Sequence, residues 1–249
     1  MSWNIENIKI IKEKVTEETC IDLTKKNKVY TFLNCYSYYV FRKNIDSFKS
    51  IDAIFCDGII FEKMMRSINI KASRVSFDMT SLAPIVFNYA SEHNEKLVLI
   101  GSEEGVAKSV KDILSENFVN LDIIDVRHGF FQSETERLAY IDYITKINPT
   151  FVIAGMGTPH QENFIVELKN AGWQGIGFTC GGFLHQTCKK GINYYPKLIN
   201  NLNLRWAYRI WDEPKLLKRY VLYYPLSVIA FYYDYFKFRI VNVSKKSPK

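Results

Sequence analysis

Six short apolar runs, each about the length of a strand, recur along this chain at 29–33, 53–56, 97–100, 121–126, 151–154 and 175–179. Helix-length stretches fall between them, at 81–93, 104–118, 134–147 and 161–171. A strand buried on both faces is apolar throughout rather than alternating. Strands that alternate with helices build a parallel sheet covered on both sides. The expectation is therefore an α/β, Rossmann-like, mostly parallel sheet with helices on both faces. The chain's 249 residues suffice for one such domain plus an appendage, and a hydrophobic content of 47% predicts a packed core rather than disorder.

Open α/β sheets gather their chemistry at the carboxyl ends of the strands, so the residues just after each run carry the functional reading. After 151–154 comes Gly155-Met156-Gly157-Thr158-Pro159-His160-Gln161-Glu162. Thr158 is placed to cap a helix, Pro159 suits its first position, and Gln161 completes a capping box. Free N–H groups at such a helix start attract phosphate. A well-capped helix with no ligand is the equal alternative.

After 53–56 comes Asp57-Gly58, a carboxylate at a strand end. It reads as a general base or, more simply, as the cap of the next helix. Asn34 ends the first run, either to bind a sugar or nucleotide or as ordinary turn chemistry. The loop Gly101-Ser102-Glu103-Glu104-Gly105 looks nucleotide-like, but two carboxylates there would repel a phosphate, so the Thr158 helix is the better anion site. Gly181-Gly182 allows close approach by a ligand or forms a turn. A Cys180–His185 nucleophile has no group to orient the histidine. No Asp-x-Asp, His-x-x-x-His or Walker loop occurs, so arginines and helix N-termini must stabilise any departing phosphate.

The net charge of +7 is uneven: 13 Lys and Arg face 3 Asp and Glu from residue 189 onward, and the first 188 residues are slightly acidic. The tail pattern predicts helices over 196–211 and 214–238, rich in rings and basic residues. Its uncharged run, 220–233, would span about 21 Å as a helix, short of a bilayer core of about 30 Å, and Pro225 would kink it. An interfacial position, with Arg and Lys meeting lipid phosphates, is favoured over a helix packed on the body. The five cysteines show no CxxC pair, and residues 1–14 are not a signal peptide; both favour a reducing cytoplasm. A nucleic-acid-binding protein using the basic aromatic tail is the rival of another class. A nicotinamide-dependent Rossmann enzyme is disfavoured because the first strand–turn–helix lacks Gly-x-Gly-x-x-Gly.

Taken in order, several segments resemble the WecG/TagA/CpsF family of bacterial glycosyltransferases. They are Thr31-Phe32-Leu33-Asn34, Asp57-Gly58-Ile59, Arg74 with Asp78, the loop from Gly101 to Ala107, Gly129-Phe130-Phe131, the Gly155–Glu162 segment, Gly181-Gly182-Phe183, and the stretch from Leu204 to Pro214 with Arg219-Tyr220. The resemblance implies an inverting, metal-independent transferase that moves N-acetylmannosamine or a related hexose from a UDP-sugar to a polyprenyl-diphosphate-linked acceptor at the cytoplasmic membrane face. UDP-sugar enters as substrate; no cofactor and no nucleic acid are implied, a homo-oligomer is left open, and an anionic membrane surface is a partner.

Asp57 matches the family's base. Thr31, Asn34, Arg74, Gly129, Phe130, Gly155, Gly157, Thr158, Pro159, Gln161, Glu162, Gly181, Gly182, Arg209 and Arg219 are the substrate-binding residues the resemblance implies, with Thr31 one place before the family's threonine position, which Phe32 fills, Arg74 expected near the acceptor, and Arg209 and Arg219 near the diphosphate. The division implied is a catalytic domain over 1–190 and a helical, membrane-associating appendage over 191–249 that completes the site. Departures at Phe32, Leu184, Tyr194-Tyr195 and Leu216 fall where sugars should be read, and suggest a capsule or exopolysaccharide branch rather than teichoic acid synthesis.

Overall fold

The computed structural model describes residues 5–202 and 204–246; residues 1–4, 203 and 247–249, at the ends and within the two expected segments, lie outside the described residues. The chain runs α1 (Glu6–Lys14), β1 (Lys28–Leu33), α2 (Cys35–Phe41), α3 (Asp46–Lys49), β2 (Ala53–Cys56), α4 (Ile59–Ser67), α5 (Leu82–Glu92), β3 (Lys96–Gly101), α6 (Val106–Asn117), β4 (Asp122–Arg127), α7 (Glu134–Ile147), β5 (Phe151–Gly155), α8 (His160–Asn170), β6 (Ile176–Thr179), α9 (Phe183–Lys190), α10 (Lys197–Asn201), α11 (Arg205–Asp212) and α12 (Tyr224–Lys246).

The six strands form one sheet in the order β2-β1-β6-β5-β3-β4, and every neighbouring pair is parallel. The chain winds outward from β1 to β2 on one side and from β3 to β4 on the other, so the crevice of an open α/β sheet falls above β1, β6, β5 and β3.

Strand side chains alternate between two cores. Val29, Leu33, Ile54, Val98, Ile100, Val152 and Ala154 pack with α1, α2, α4, α7 and α8. Phe32, Phe55, Leu97, Leu99, Phe151, Ile153 and Phe178 pack on the other face with α5, α6 and α9.

The tail is part of the first core. Phe231 of α12 is fully buried there, with its ring against Tyr38. Three residues on, the Asp234 carboxylate accepts hydrogen bonds from Asn7 Nδ2 (2.6 Å), Tyr38 OH (3.1 Å) and both Nε and Nη2 of Arg42. At the other end of the tail, Asp212 takes Lys189 Nζ (2.9 Å), Lys190 Nζ (2.8 Å) and Tyr194 OH (2.9 Å), which fixes α11 to α9. Against the effect of burial, those bonds from Lys190, Lys189 and Tyr194 hold its carboxyl well below the usual range.

The packed-helix alternative thus describes the inner face of α12, while its outer face keeps Ile229, Tyr233, Phe236 and Ile240 exposed. Pro225 does not kink the helix midway. It sits in the first turn of α12, directly after a π-helical turn at Arg219–Tyr223.

Candidate active site

Register brings the first two site residues together. Leu33 pairs with Cys56 at the ends of β1 and β2, so Asn34 and Asp57 leave the sheet side by side. The Asp57 N–H extends the ladder to Leu33 O (2.8 Å), and Asn34 Nδ2 donates to Asp57 Oδ2 (3.4 Å). Asn34 also caps α2: its Oδ1 accepts from Ser37 N–H (3.0 Å), and its own N–H donates to Ser37 Oγ (2.7 Å). The turn-chemistry reading of Asn34 is met by this cap, and its amide also reaches Asp57.

Asp57 is no cap. The N-cap of α4 is Gly58, at φ 96°, and no side chain bonds the first turn. The carboxylate instead faces a cleft of about 990 Å³. Burial, and then the nearby Asp78, raise its pKa above the ordinary carboxylate value, against the Asn34 hydrogen bond, Arg209 and Arg74. Arg74 arrives through a parallel bridge beside Cys56, with Val75 N–H bonded to Cys56 O (3.0 Å).

The expected capping box at α8 does not form. The helix starts at His160 with Pro159 as N-cap, after a cis Thr158–Pro159 bond and without a side-chain cap. Thr158 and Gln161 turn instead toward Glu162, whose Oε1 accepts from Thr158 Oγ1 (3.2 Å), Gln161 Nε2 (3.1 Å) and Thr31 Oγ1 (2.7 Å). Thr31 and Thr179 hydrogen-bond across β1 and β6 (2.9 Å), because both point to the α8 face of the sheet. Gln161 Oε1 in turn accepts from Gly181 N–H (3.2 Å). One buried network therefore ties β1, β6, α8 and the diglycine turn. Glu162 is fully buried, its Oε2 has no partner, and burial raises its pKa against the hydrogen bonds from Gln161, Thr31 and Thr158.

Of the residues read from sequence, Asn34, Asp57, Arg74, Phe130, Gly157, Thr158, Gln161, Gly181, Gly182, Arg209 and Arg219 line the cleft. Thr31, Gly129, Gly155, Pro159 and Glu162 do not. Thr31 and Glu162 belong to the network beneath it. Gly155 and Gly129 are spacers: a Cβ on Gly155 would lie 2.8 Å from Cys180 Sγ, and one on Gly129 2.7 Å from Met156 Cγ. Cys35, Cys56 and Cys180 are buried core residues, and burial pushes the Cys180 thiol far up, so it is no nucleophile.

The tail roofs this cleft. Arg209 sits over the diglycine turn, where a Cβ on Gly182 would be 3.2 Å from its Nη2, and pairs with Glu213 (3.6 Å). The Arg209 Nε is buried without a hydrogen-bond partner. Arg219 stacks on Tyr36 (4.4 Å). The binding residues expected from sequence did not include Arg205, held by Asp78 (3.1 Å), or the rings of Tyr195, Tyr220 and Tyr224, all at the cleft wall, although Tyr195 and Tyr220 lie in segments already singled out. The signal for Arg205 was present, four residues before Arg209 on one helix face.

The fold is thus an all-parallel α/β sheet with a strand-end carboxylate under a roof of arginines, the place where enzymes of this class gather their chemistry. The model of the family described as glycosyl transferase WecG/TagA/CpsF matches residues 4–240, and this chain belongs to that family and is a glycosyltransferase. It is 36% identical over 205 residues to the UDP-Gal:alpha-D-GlcNAc-diphosphoundecaprenol beta-1,4-galactosyltransferase of Shigella boydii, covering 82% of this chain and 85% of that protein. It is 27% identical over 180 residues to the N-acetylglucosaminyldiphosphoundecaprenol N-acetyl-beta-D-mannosaminyltransferase of Bacillus subtilis (strain 168), covering 72% and 68%. Nothing supports the nucleic-acid alternative.

Proposed function

We propose that this protein transfers a hexose from a UDP-sugar to a polyprenyl-diphosphate-linked saccharide, with inversion and without a metal. The observation that carries this reading is Asp57: a carboxylate with a raised pKa, freed from capping, sharing one cleft with Arg74, Arg205, Arg209 and Arg219. In the reaction Asp57 takes the proton of an acceptor hydroxyl. The oxygen bonds to the anomeric carbon as the bond from that carbon to the diphosphate oxygen breaks. The electron pair leaves with the nucleotide, and its charge is met by arginines. A single displacement of this kind inverts the anomeric centre.

Four guanidiniums around one cleft supply the cationic role that a metal would otherwise fill. The relatives' names supply the substrate classes, and the more similar of the two puts UDP-galactose first among donors to try. The acceptor's lipid suggests attachment to the inner face of the membrane. No described helix is long and apolar enough to cross a bilayer. The exposed Trp211, Val221 and Ile229, on a tail that also carries Lys218 and Arg239, suit an interfacial position against anionic lipid.

The test is transfer by the purified protein from a panel of UDP-sugars to a diphospholipid-linked N-acetylglucosamine, followed by mass spectrometry with and without EDTA. Transfer from one UDP-hexose, undiminished by the chelator, is expected. Failure with every UDP-sugar overturns the donor class, and loss with EDTA overturns the arginine role.

A further inference from the structure

The cleft has two unlike ends. Past the carboxyl ends of β5 and β6 its wall is Gly157, Thr158, Gly181 and Gly182, glycines and polar groups suited to a diphosphate. Past Asp57, toward the sheet edge formed by β2, the wall is Tyr36, Ile59, Ile60, Pro225, Val228 and Ile229. This apolar branch opens a seam between two helices: Ile59 and Ile60 lie in the first turn of α4 and Pro225, Val228 and Ile229 near the start of α12, and further along both helices Ser67 Oγ of α4 meets Tyr232 OH of α12 (2.8 Å). Its floor is closed by Phe61 and Phe231, both packed on Tyr38, while Ile60 (46% exposed) and Ile229 (66% exposed) stay open at the rim.

Solvated apolar rims continuous with a reaction cleft mark a place where an apolar ligand is seated. We propose that the α4–α12 seam holds the first isoprene units of the acceptor's polyprenyl chain, with its diphosphate at Arg74 and its saccharide turned back to Asp57. This rests on the acceptor class proposed above. The arrangement separates the substrates by topology. The nucleotide sits over β5 and β6, the lipid leaves over the β2 edge, and the two sugars meet at the carboxylate between them. The seam also ends on the exposed face of α12 at Tyr233 and Phe236, so the rest of a long chain passes straight to the bilayer.

The experiment compares two acceptors with the same diphosphate-linked saccharide, one on a geranyl and one on an undecaprenyl chain, for the wild type and for an Ile60→Asn/Ile229→Asn double variant. Both positions are exposed, so the fold tolerates the change. The kcat/KM preference for the long chain is expected to fall about tenfold in the variant, the loss of roughly two buried methylenes. An unchanged preference overturns the proposal. Binding of geranylgeranyl diphosphate without membranes or detergent, against inorganic diphosphate, is read in parallel. A tenfold weaker Kd in the variant for the prenyl ligand alone supports the seam even if no sugar is transferred, in which case the acceptor reading fails by itself. Equal Kd values in both proteins overturn the seam.

Discussion

Two carboxylates in this protein are held where burial disfavours their charge, and they do different things. Asp57 faces the cleft and Glu162 is sealed beneath it. A folded-state pKa raised above the unfolded value means that the folded protein holds the proton longer, so stability contributed at low pH is lost as pH rises through the folded value. Asp57→Asn should therefore cut kcat by about 10²–10⁴-fold and leave the melting temperature equal or higher at neutral pH; a lower melting temperature would contradict the burial argument. The acid limb of the wild-type rate profile should lie above the ordinary carboxylate range, since the base must be ionised to act. Asn34 separates its two jobs by substitution. Asn34→Ser keeps a good N-cap and so its stability, but drops the amide donor to Asp57 and with it activity. Asn34→Ala loses both, with a stability cost of about 1 kcal/mol. Chemical denaturation beside initial rates distinguishes them.

At the scale of elements, the strands other than β4, whose Asp122, Asp125 and Arg127 are charged, were readable because they are largely apolar on both faces. All six runs became strands, and 53–56 coincides with β2 residue for residue. Helix α7 was equally plain, with Ser133 capping and acids in its first turn. Helix α2 escaped notice for a physical reason. Cys35–Phe41 buries much of its surface between sheet and tail, so ring and aliphatic residues occupy most of the turn and leave little polar face to mark a period. The Thr158 segment was misread in detail because its threonine and glutamine bond a buried side chain rather than the helix end. No local pattern announces a partner 131 residues away such as the one joining Thr31 to Glu162. Glycines at the strand ends are the element-scale test: a Cβ on Gly101 would fall 2.3 Å from Gly155 O at a φ of 146°, so Gly101→Ala should cost several °C in melting temperature and misplace the cleft loops. An unaltered Tm would refute the close approach.

For the whole molecule, the tail's two roles, roof and core, share one set of residues. The buried Asp234 pair with Arg42 is the clearest handle. Asp234→Ala strands Arg42, Tyr38 and Asn7 without their acceptor and should cost about 3 kcal/mol, read as a drop of roughly 6–12 °C in melting temperature. Activity should fall as well, because the same helix carries Val228 and Ile229 at the cleft. Loss of activity at an unchanged melting temperature would mean that the carboxylate acts otherwise than as an anchor. Deleting the chain after Lys190 should abolish transfer and vesicle binding, and should also leave a less stable protein, since the pocket of Phe231 opens to water.

The clasp around Asp234 also limits how this protein can be recombined. Its donors come from α1 and α2, far from the tail in sequence, so a chimaera that borrows residues 191–249 from a relative inherits a working roof only if the recipient supplies equivalents of Asn7, Tyr38 and Arg42. Exchange of acceptor preference between such proteins is thus a matter of transplanting two distant pieces together, and the natural crossover point is not the boundary that charge and composition suggest.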